Sequence, residues 1–220
     1  HDLGQWLQDG ERIAAAQLAV WRDVGHDALM IENGVTAMAQ AVGSEIAYQK
    51  DLPPHVLRPL LADRLEDIGK LSVPDPERTH PLCEVLKAVR ICRQETGGRV
   101  YVQGRADQGP NALAMALRGP EQWVLDIQDS ESAPLVNRVL EFTTDCCLRY
   151  ALALIAAGAH GSCIGGLGLS MLSPGLYRRL ELPHQRRWCK GVQEAGGHAF
   201  IHSCGDEALI LRDLVSSGAD

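Results

Sequence analysis

The sequence predicts an α/β fold in which helices flank a parallel sheet. Short apolar segments alternate along the chain with longer segments whose apolar side chains recur at helical spacing. The links between successive apolar segments are long enough for crossover connections, which parallel strands require. Polar residues follow the apolar segments, where a parallel sheet carries its functional groups.

Each element follows from its local pattern. Buried strands are predicted where short apolar runs stand between turn residues, at 28–31, 99–104, 162–166 and 198–204. Helices are predicted where apolar side chains recur on one face, at 12–25, 35–43, 82–98, 111–119, 132–158, 173–197 and 206–218. Ser173 followed by Pro174 is a helix start signal. Asp206 and Glu207 are expected to cap the last helix.

The segment 44–81 interrupts this alternation. It is rich in charge and proline, and its pattern predicts an irregular excursion with one short helix over 55–65. Periodicity does not decide between a doubly wound sheet and a (β/α)8 barrel. In both folds the functional groups lie at the carboxyl ends of the strands.

The predicted strand ends carry the candidate site residues. They are Glu32, Gln103 with Arg105 and Asp107, Gly165 with Gly166, and His202 with Cys204. Because parallel strands end at one edge of a sheet, these residues are expected on one side of the molecule.

The stretch GGHAFIHSCGD carries the most specific chemistry. Side chains two apart in a strand point the same way, so His202 and Cys204 converge. An imidazole and a thiolate are well suited to share a zinc ion. The alternative is a core cysteine beside a hydrogen-bonded histidine at the end of a strand.

The other candidates have two readings each. Glu32 is a catalytic acid or substrate ligand, or else a solvated loop carboxylate. Gln103, Arg105 and Asp107 line a pocket in which Arg105 meets an anionic group, or else Arg105 makes a surface salt bridge. Gly165 and Gly166 leave space for a large ligand or form a tight turn, since GGLG lacks the dinucleotide fingerprint.

Composition restricts the function classes. A net charge of -7 argues against a nucleic-acid partner, whose binding sites are basic. No apolar run approaches the roughly 20 residues of a membrane helix, and no signal peptide is visible. The seven cysteines are irregularly spaced, which favours reduced thiols in the cytoplasm.

Several segments resemble the uroporphyrinogen decarboxylase superfamily, and more narrowly its branch of cobalamin (corrinoid)-dependent methyltransferases. The similar segments are GHDALMIENGVTAMAQAVGSEI, VYVQGRADQGPNALAMALRG, the AAGAHGSCIGG…LSPGLYRRLELPHQRR block and HSCGD. The His-x-Cys-Gly of the last segment marks the methyltransferase branch.

The resemblance implies a TIM-type barrel, of which residues 1–220 form one domain with about half of the eight strands. It implies zinc at His202 and Cys204, with a third ligand further downstream than Asp220. A methylated corrinoid on a carrier protein would be the methyl donor and a small thiol or similar nucleophile the acceptor. A homodimer is left open.

Two other functions remain under the same resemblance. One is a decarboxylase acting on a tetrapyrrole, which needs arginines to bind carboxylates. The other is a non-catalytic module that binds a corrinoid or tetrapyrrole without turnover and without zinc.

Overall fold

The computed structural model describes residues 3–49 and 52–220. The strands are β1 Ala28–Ile31, β2 Ile46–Gln49, β3 Leu52–Val56, β4 Tyr101–Arg105, β5 Gly161–Gly165 and β6 His198–His202. The helices are α1 Leu3–Leu7, α2 Gly10–Val24, α3 Ala37–Val42, α4 Leu82–Thr96, α5 Pro110–Arg118, α6 Pro120–Asp126, α7 Ala133–Ala156, α8 Pro174–Leu180, α9 Leu182–Glu194 and α10 Leu211–Val215. Two 3-10 helices cover Leu65–Lys70 and Leu169–Met171.

The main sheet is parallel, and its strand order β1-β4-β5-β6 follows the order of the chain. The crossing helices form one layer, because α4 packs on α7 and α7 packs on α9. A doubly wound sheet would reverse its strand order and carry helices on both faces. The chain therefore folds as an α/β barrel segment with four parallel strands, half of the eight in a TIM-type barrel.

The two faces of the sheet differ in burial. Leu29, Val102, Ile164 and Ala199 point toward the helices and are fully buried in the core. The alternate residues form the inner face, the side that faces the axis of a barrel. This face includes Met30, which is 41% exposed. The alternation follows from the two-residue period of a strand.

The excursion contains a hairpin in place of the predicted helix. Strands β2 and β3 pair antiparallel, with Ile46 opposite Val56. The prediction of a helix over 55–65 is therefore wrong. Pro53 and Pro54 lack the N–H that a helix interior needs and fix extended backbone angles, which an edge strand accepts.

The chain after the hairpin is tied to α5. Leu61 N–H donates to Leu117 O at 2.7 Å, and Arg118 Nη1 donates to Ala62 O at 3.2 Å. The Arg118 guanidinium also pairs with Asp126, with Nε 2.6 Å from Oδ2, and both side chains are about nine-tenths buried. These bonds hold the hairpin beside α5, at the edge of the sheet where the strands end.

One predicted helix is two helices in the structure. The predicted helix 173–197 begins as expected, because Leu176 N–H donates to Ser173 Oγ at 3.3 Å. It divides into α8 and α9 at Glu181, since Pro183 starts a new helix and cannot continue the old one.

The last helix is shorter than predicted. It begins at Leu211, so the expectation that Asp206 and Glu207 cap it is wrong. Asp206 Oδ1 accepts the N–H of Ala208 in a turn, and Glu207 accepts the hydroxyl of Ser203. Such local bonds compete with helix formation.

Among the helices of the described residues, none has the length and apolarity that crossing a membrane demands.

Candidate functional site

The strand ends meet at one edge of the sheet, as predicted. The parallel register places Ile31 opposite Gly104 and Arg105 opposite Cys163. Gly165 lies opposite His202 in the next pair. We call the side of the sheet formed by the C-terminal ends of the strands the carboxyl edge. The side formed by their N-terminal ends is the amino edge.

Arg105 is the central polar side chain of the carboxyl edge. Its side chain is only 11% exposed, and its Nε lies 3.4 Å from Glu32 Oε2. Its Nη2 donates to Gln108 Oε1 at 3.1 Å. Among the residues described, no acceptor forms a hydrogen bond with the buried Nε. The guanidinium is therefore ion-paired on its Nε side, and Nη2 is the donor that an anionic ligand would meet.

Gly165 allows Arg105 to reach its position. A Cβ at Gly165 would lie 2.9 Å from Arg105 Nη2 and would collide with Gln108 Oε1. The guanidinium therefore lies over β5, where a side chain would otherwise stand. Since Gly165 and His202 are register partners, Arg105 and His202 flank the same glycine.

Gly166 is also explained by close packing. Its N–H donates to His202 O at 2.6 Å, and a Cβ there would lie 2.5 Å from Leu169 Cδ1. Protein side chains thus occupy the space beside both glycines. A role for Gly165 and Gly166 in binding a cofactor stays a prediction.

His202 and Cys204 converge even though β6 ends at His202. His202 Nε2 lies 2.9 Å from Cys204 Sγ, and both residues are exposed. Zn–N and Zn–S bonds of about 2.05 and 2.3 Å place two ligands of a tetrahedral ion about 3.5 Å apart. The exposed pair would need to open by about half an ångström to accept the ion.

The donor set fits a zinc ion in kind but supplies two ligands. Across residues 3–49 and 52–220, no group of three His, Cys, Asp or Glu side chains is placed to share a metal. An open site with two protein ligands leaves positions for a further ligand and for a substrate sulfur. Zinc at this pair stays a prediction.

Gln103 lies one layer deeper than Arg105 on the inner face. It is half-buried and sits opposite Met30 on β1 and Gly161 on β5. Its amide is therefore part of the floor below the strand ends, and its role in binding a ligand stays a prediction.

Asp107 is buried, and backbone N–H groups hold its carboxylate. It is 5% exposed with a φ of 67°, and its carboxylate accepts Met38 N–H at 2.7 Å and Gln108 N–H at 2.5 Å. Burial raises the pKa of Asp107 to about 6, although these two N–H groups oppose the shift. Asp107 fixes the loop after β4 to the start of α3.

Glu181 is a second buried carboxyl, which the sequence pattern did not reveal. It is 1% exposed at the break between α8 and α9, and it accepts Gln185 Nε2 at 3.2 Å. Burial raises the pKa of Glu181 to about 7. The flanking leucines and the proline two residues later were the available signal, since an acid among apolar neighbours near a helix break is unusual.

Three further histidines, His160, His184 and His198, make structural contacts. His160 Nδ1 accepts Val102 N–H at 2.8 Å at the amino edge. His184 Nδ1 lies 2.8 Å from Thr144 Oγ1 in the core. His198 contacts Tyr101, with Nδ1 3.0 Å from the phenol oxygen.

Comparison with known proteins covers the whole sequence. The profile of the uroporphyrinogen decarboxylase (URO-D) family matches residues 1–220. A uroporphyrinogen decarboxylase of Carboxydothermus hydrogenoformans is 26% identical over 207 residues, covering 90% of this chain and 56% of that protein. The methylcobamide:CoM methyltransferase MtaA of Methanosarcina barkeri is 24% identical over 214 residues, covering 94% and 60%.

A solved structure supports the fold. A methyltransferase from Methanosarcina mazei superposes with a TM-score of 0.86 at 24% sequence identity, over 96% of this chain and 61% of that one. The chain thus spans a little more than half the length of these relatives. The resemblance to the superfamily, with relatives in its methyltransferase branch, is confirmed. The chain belongs to the uroporphyrinogen decarboxylase (URO-D) family.

Proposed function

We propose that the chain carries the acceptor site of a zinc-dependent methyltransferase, which moves a methyl group between a corrinoid and a thiol or similar small nucleophile. The observation that carries the proposal is the 2.9 Å approach of His202 Nε2 to Cys204 Sγ at the carboxyl edge. A histidine and a cysteine at the end of a barrel strand are the residue types that a thiol-activating zinc needs.

His202 and Cys204 would hold the ion through a neutral imidazole and a thiolate. Both must give up their protons to do so, which makes binding depend on pH. When bound, zinc lowers the pKa of an acceptor thiol and leaves its sulfur nucleophilic. The exposure of both side chains gives the acceptor access to this position.

Arg105 and Glu32 would position the substrate. The guanidinium lies beside Gly165, the register partner of His202. It is proposed to bind an anionic group of the substrate through Nη2, while Glu32 Oε2 holds its Nε at 3.4 Å. Glu32 is 39% exposed, so it is also accessible as the predicted catalytic acid.

The remaining assignments follow from the proposed reaction. The methyl donor would be a methylated corrinoid on a carrier protein in the cytoplasm, and the acceptor a small thiol. Gln103 would form the floor beneath the acceptor, two residues before Arg105 on the same face.

A decarboxylase acting on a tetrapyrrole is the second candidate. Relatives that bear the name uroporphyrinogen decarboxylase, at 26% and 27% identity, favour it. This reaction has no need of a thiolate at Cys204, so the role of Cys204 separates the two functions.

Metal content tests the proposal. We would purify the protein with zinc and without chelators, and measure zinc by elemental mass spectrometry. We expect about one zinc per chain, lost in Cys204→Ala and retained in Cys83→Ala, since Cys83 lies on α4. A wild-type protein without zinc would contradict the methyltransferase mechanism, and a test for decarboxylation would follow.

A further inference from the structure

A groove opens at the carboxyl edge beside Arg105. Its volume is about 310 Å³, near the lower end of the roughly 300–1,000 Å³ of small-molecule sites. Its lining comes from α5, from the hairpin and from the loops after β1, β4 and β5. An apolar cavity of about 150 Å³ already accommodates benzene, so a substituted ring fits here.

The walls of the groove are apolar. Pro54 and Val56 of β3 form one side, and Ala112, Met115 and Ala116 of α5 form the other. Ala112 and Ala116 are four residues apart, so their small side chains share one face of the helix and leave the concavity between them. Of the described residues that line the groove, His55 is the ionisable one, and none is Asp, Glu, Lys or Arg.

The inner end of the groove is polar. Gln108 lines it, and its Oε1 accepts a hydrogen bond from Arg105 Nη2 at 3.1 Å. Arg105 is nine-tenths buried, and its Nε has no hydrogen-bond partner among the described residues. Arg105 therefore lies directly behind Gln108, where the apolar groove meets the strand ends, and its Nη2 is the donor that an anion in the place of Gln108 Oε1 would meet.

We propose that the groove binds the apolar body of an amphipathic monoanion, a ring-containing acid whose anionic group meets Arg105. One negative charge is favoured over several because Glu32 lies 3.4 Å from the same guanidinium and repels further anions. The inference rests on the proposed function in one respect, that this molecule is the small substrate of the methyl transfer.

Calorimetric titration with three probes tests the binding class. The probes are 4-ethylbenzoate, the neutral 4-ethylbenzamide of the same shape, and propionate, which has the charge without the ring. We expect 4-ethylbenzoate to bind at least tenfold more tightly than either of the others. Equal affinity for the acid and the amide would overturn the assignment of Arg105.

Variants locate the binding. Ala116→Trp fills the groove and is expected to weaken 4-ethylbenzoate at least tenfold, while Ala15→Trp on the exposed face of α2 leaves it unchanged. Leu167→Asp, at a lining residue that is 53% exposed, is expected to weaken the acid at least fivefold by charge repulsion. Unchanged affinity in Ala116→Trp or Leu167→Asp overturns the proposal.

The result is independent of the zinc measurement. Binding of the probes needs neither metal nor corrinoid, so a protein without zinc that binds 4-ethylbenzoate refutes only the methyltransferase mechanism. A protein with zinc at Cys204 that ignores all three probes refutes only the groove.

Discussion

The two edges of the parallel sheet carry similar side chains with different surroundings. At the amino edge, the Tyr101 ring stacks on His160 with centroids 5.0 Å apart, and its hydroxyl lies 3.0 Å from His198 Nδ1. At the carboxyl edge, Arg105 Nε makes no hydrogen bond among the described residues although Glu32 Oε2 lies 3.4 Å away, and the described partner of His202 is a thiol. His198 and His202 are both exposed. Unused hydrogen-bonding capacity, more than exposure, distinguishes a site from a structural cluster.

Substitution of these two exposed histidines is expected to show the largest difference between the two edges. His202→Ala is expected to lower kcat/KM for methyl transfer to a thiol at least 100-fold with little change in Tm, because a metal ligand is lost. His198→Ala removes a partner of Tyr101, so it should lower the free energy of unfolding by about 1 kcal/mol and leave activity intact. Steady-state kinetics and thermal melts measure both effects.

Equal loss of activity in the two variants would contradict the distinction between the edges. The matched position within β6 is the control, since the residues begin and end the same strand.

The second largest expected effect is on the pH dependence of the free energy of unfolding. Burial raises the pKa of Glu181 from its ordinary 4.5 to about 7, so its ionised form costs folding free energy. The stability of the fold relative to the unfolded chain is therefore unaffected by Glu181 below pH 4.5. It falls by about 3 kcal/mol as the pH rises from 4.5 toward 7 and the buried carboxyl loses its proton. Glu181→Gln should make the decline shallower and leave the part that comes from Asp107, whose pKa is also raised, as measured by urea unfolding between pH 4.5 and 8.

An exposed acid provides the control. Glu194→Gln, at the exposed end of α9, should leave the slope unchanged. The amino edge predicts the opposite slope, because burial, assisted by Arg93, lowers the pKa of His160. Stability from His160 is present above its ordinary value and declines as the pH falls through the lowered one. A Glu181→Gln protein whose stability changes with pH as steeply as that of the wild type would contradict the assignment of Glu181.

The regular elements were predictable because each depends on local pattern. The amphipathic face of α4 and the apolar runs of β1, β4, β5 and β6 are explicit in the sequence. So is the convergence of His202 and Cys204, which needs only the two-residue period of a strand. The hairpin was missed because its prolines read as loop, and an edge strand is one of the few places that accept them.

The environment of the site was not predictable, because it depends on contacts between distant segments. The path of Arg105 over Gly165 and the bond from Asp107 to Met38 join residues that no local pattern relates. The groove likewise requires the hairpin to lie against α5, and the bonds of Arg118 to distant backbone carbonyls establish that placement. Glu181 was missed for the same reason, since its burial comes from tertiary packing.

Substitutions of two glycines in β5 are expected to have the smallest effects and to distinguish the two edges most selectively. At the amino edge, a Cβ at Gly161 would collide with the Tyr101 hydroxyl and lie 2.7 Å from the His198 backbone O. Backbone cannot move aside easily, so Gly161→Ala should cost roughly 1–3 kcal/mol of unfolding free energy. Affinity for 4-ethylbenzoate should not change, because this edge is remote from the groove.

Gly165→Ala is the counterpart at the carboxyl edge. Its two nearest neighbours are the ends of the Gln108 and Arg105 side chains, which can rotate away, and the third is Gln108 Cα at 3.1 Å, a tight contact that needs a small shift. The cost in stability should therefore be smaller than that of Gly161→Ala, about 1 kcal/mol. The displaced guanidinium should bind 4-ethylbenzoate at least fivefold more weakly. Thermal melts and calorimetry on both variants decide the matter. A Gly165→Ala protein that keeps its affinity would mean that Arg105 does not need the space above β5 to bind an anion.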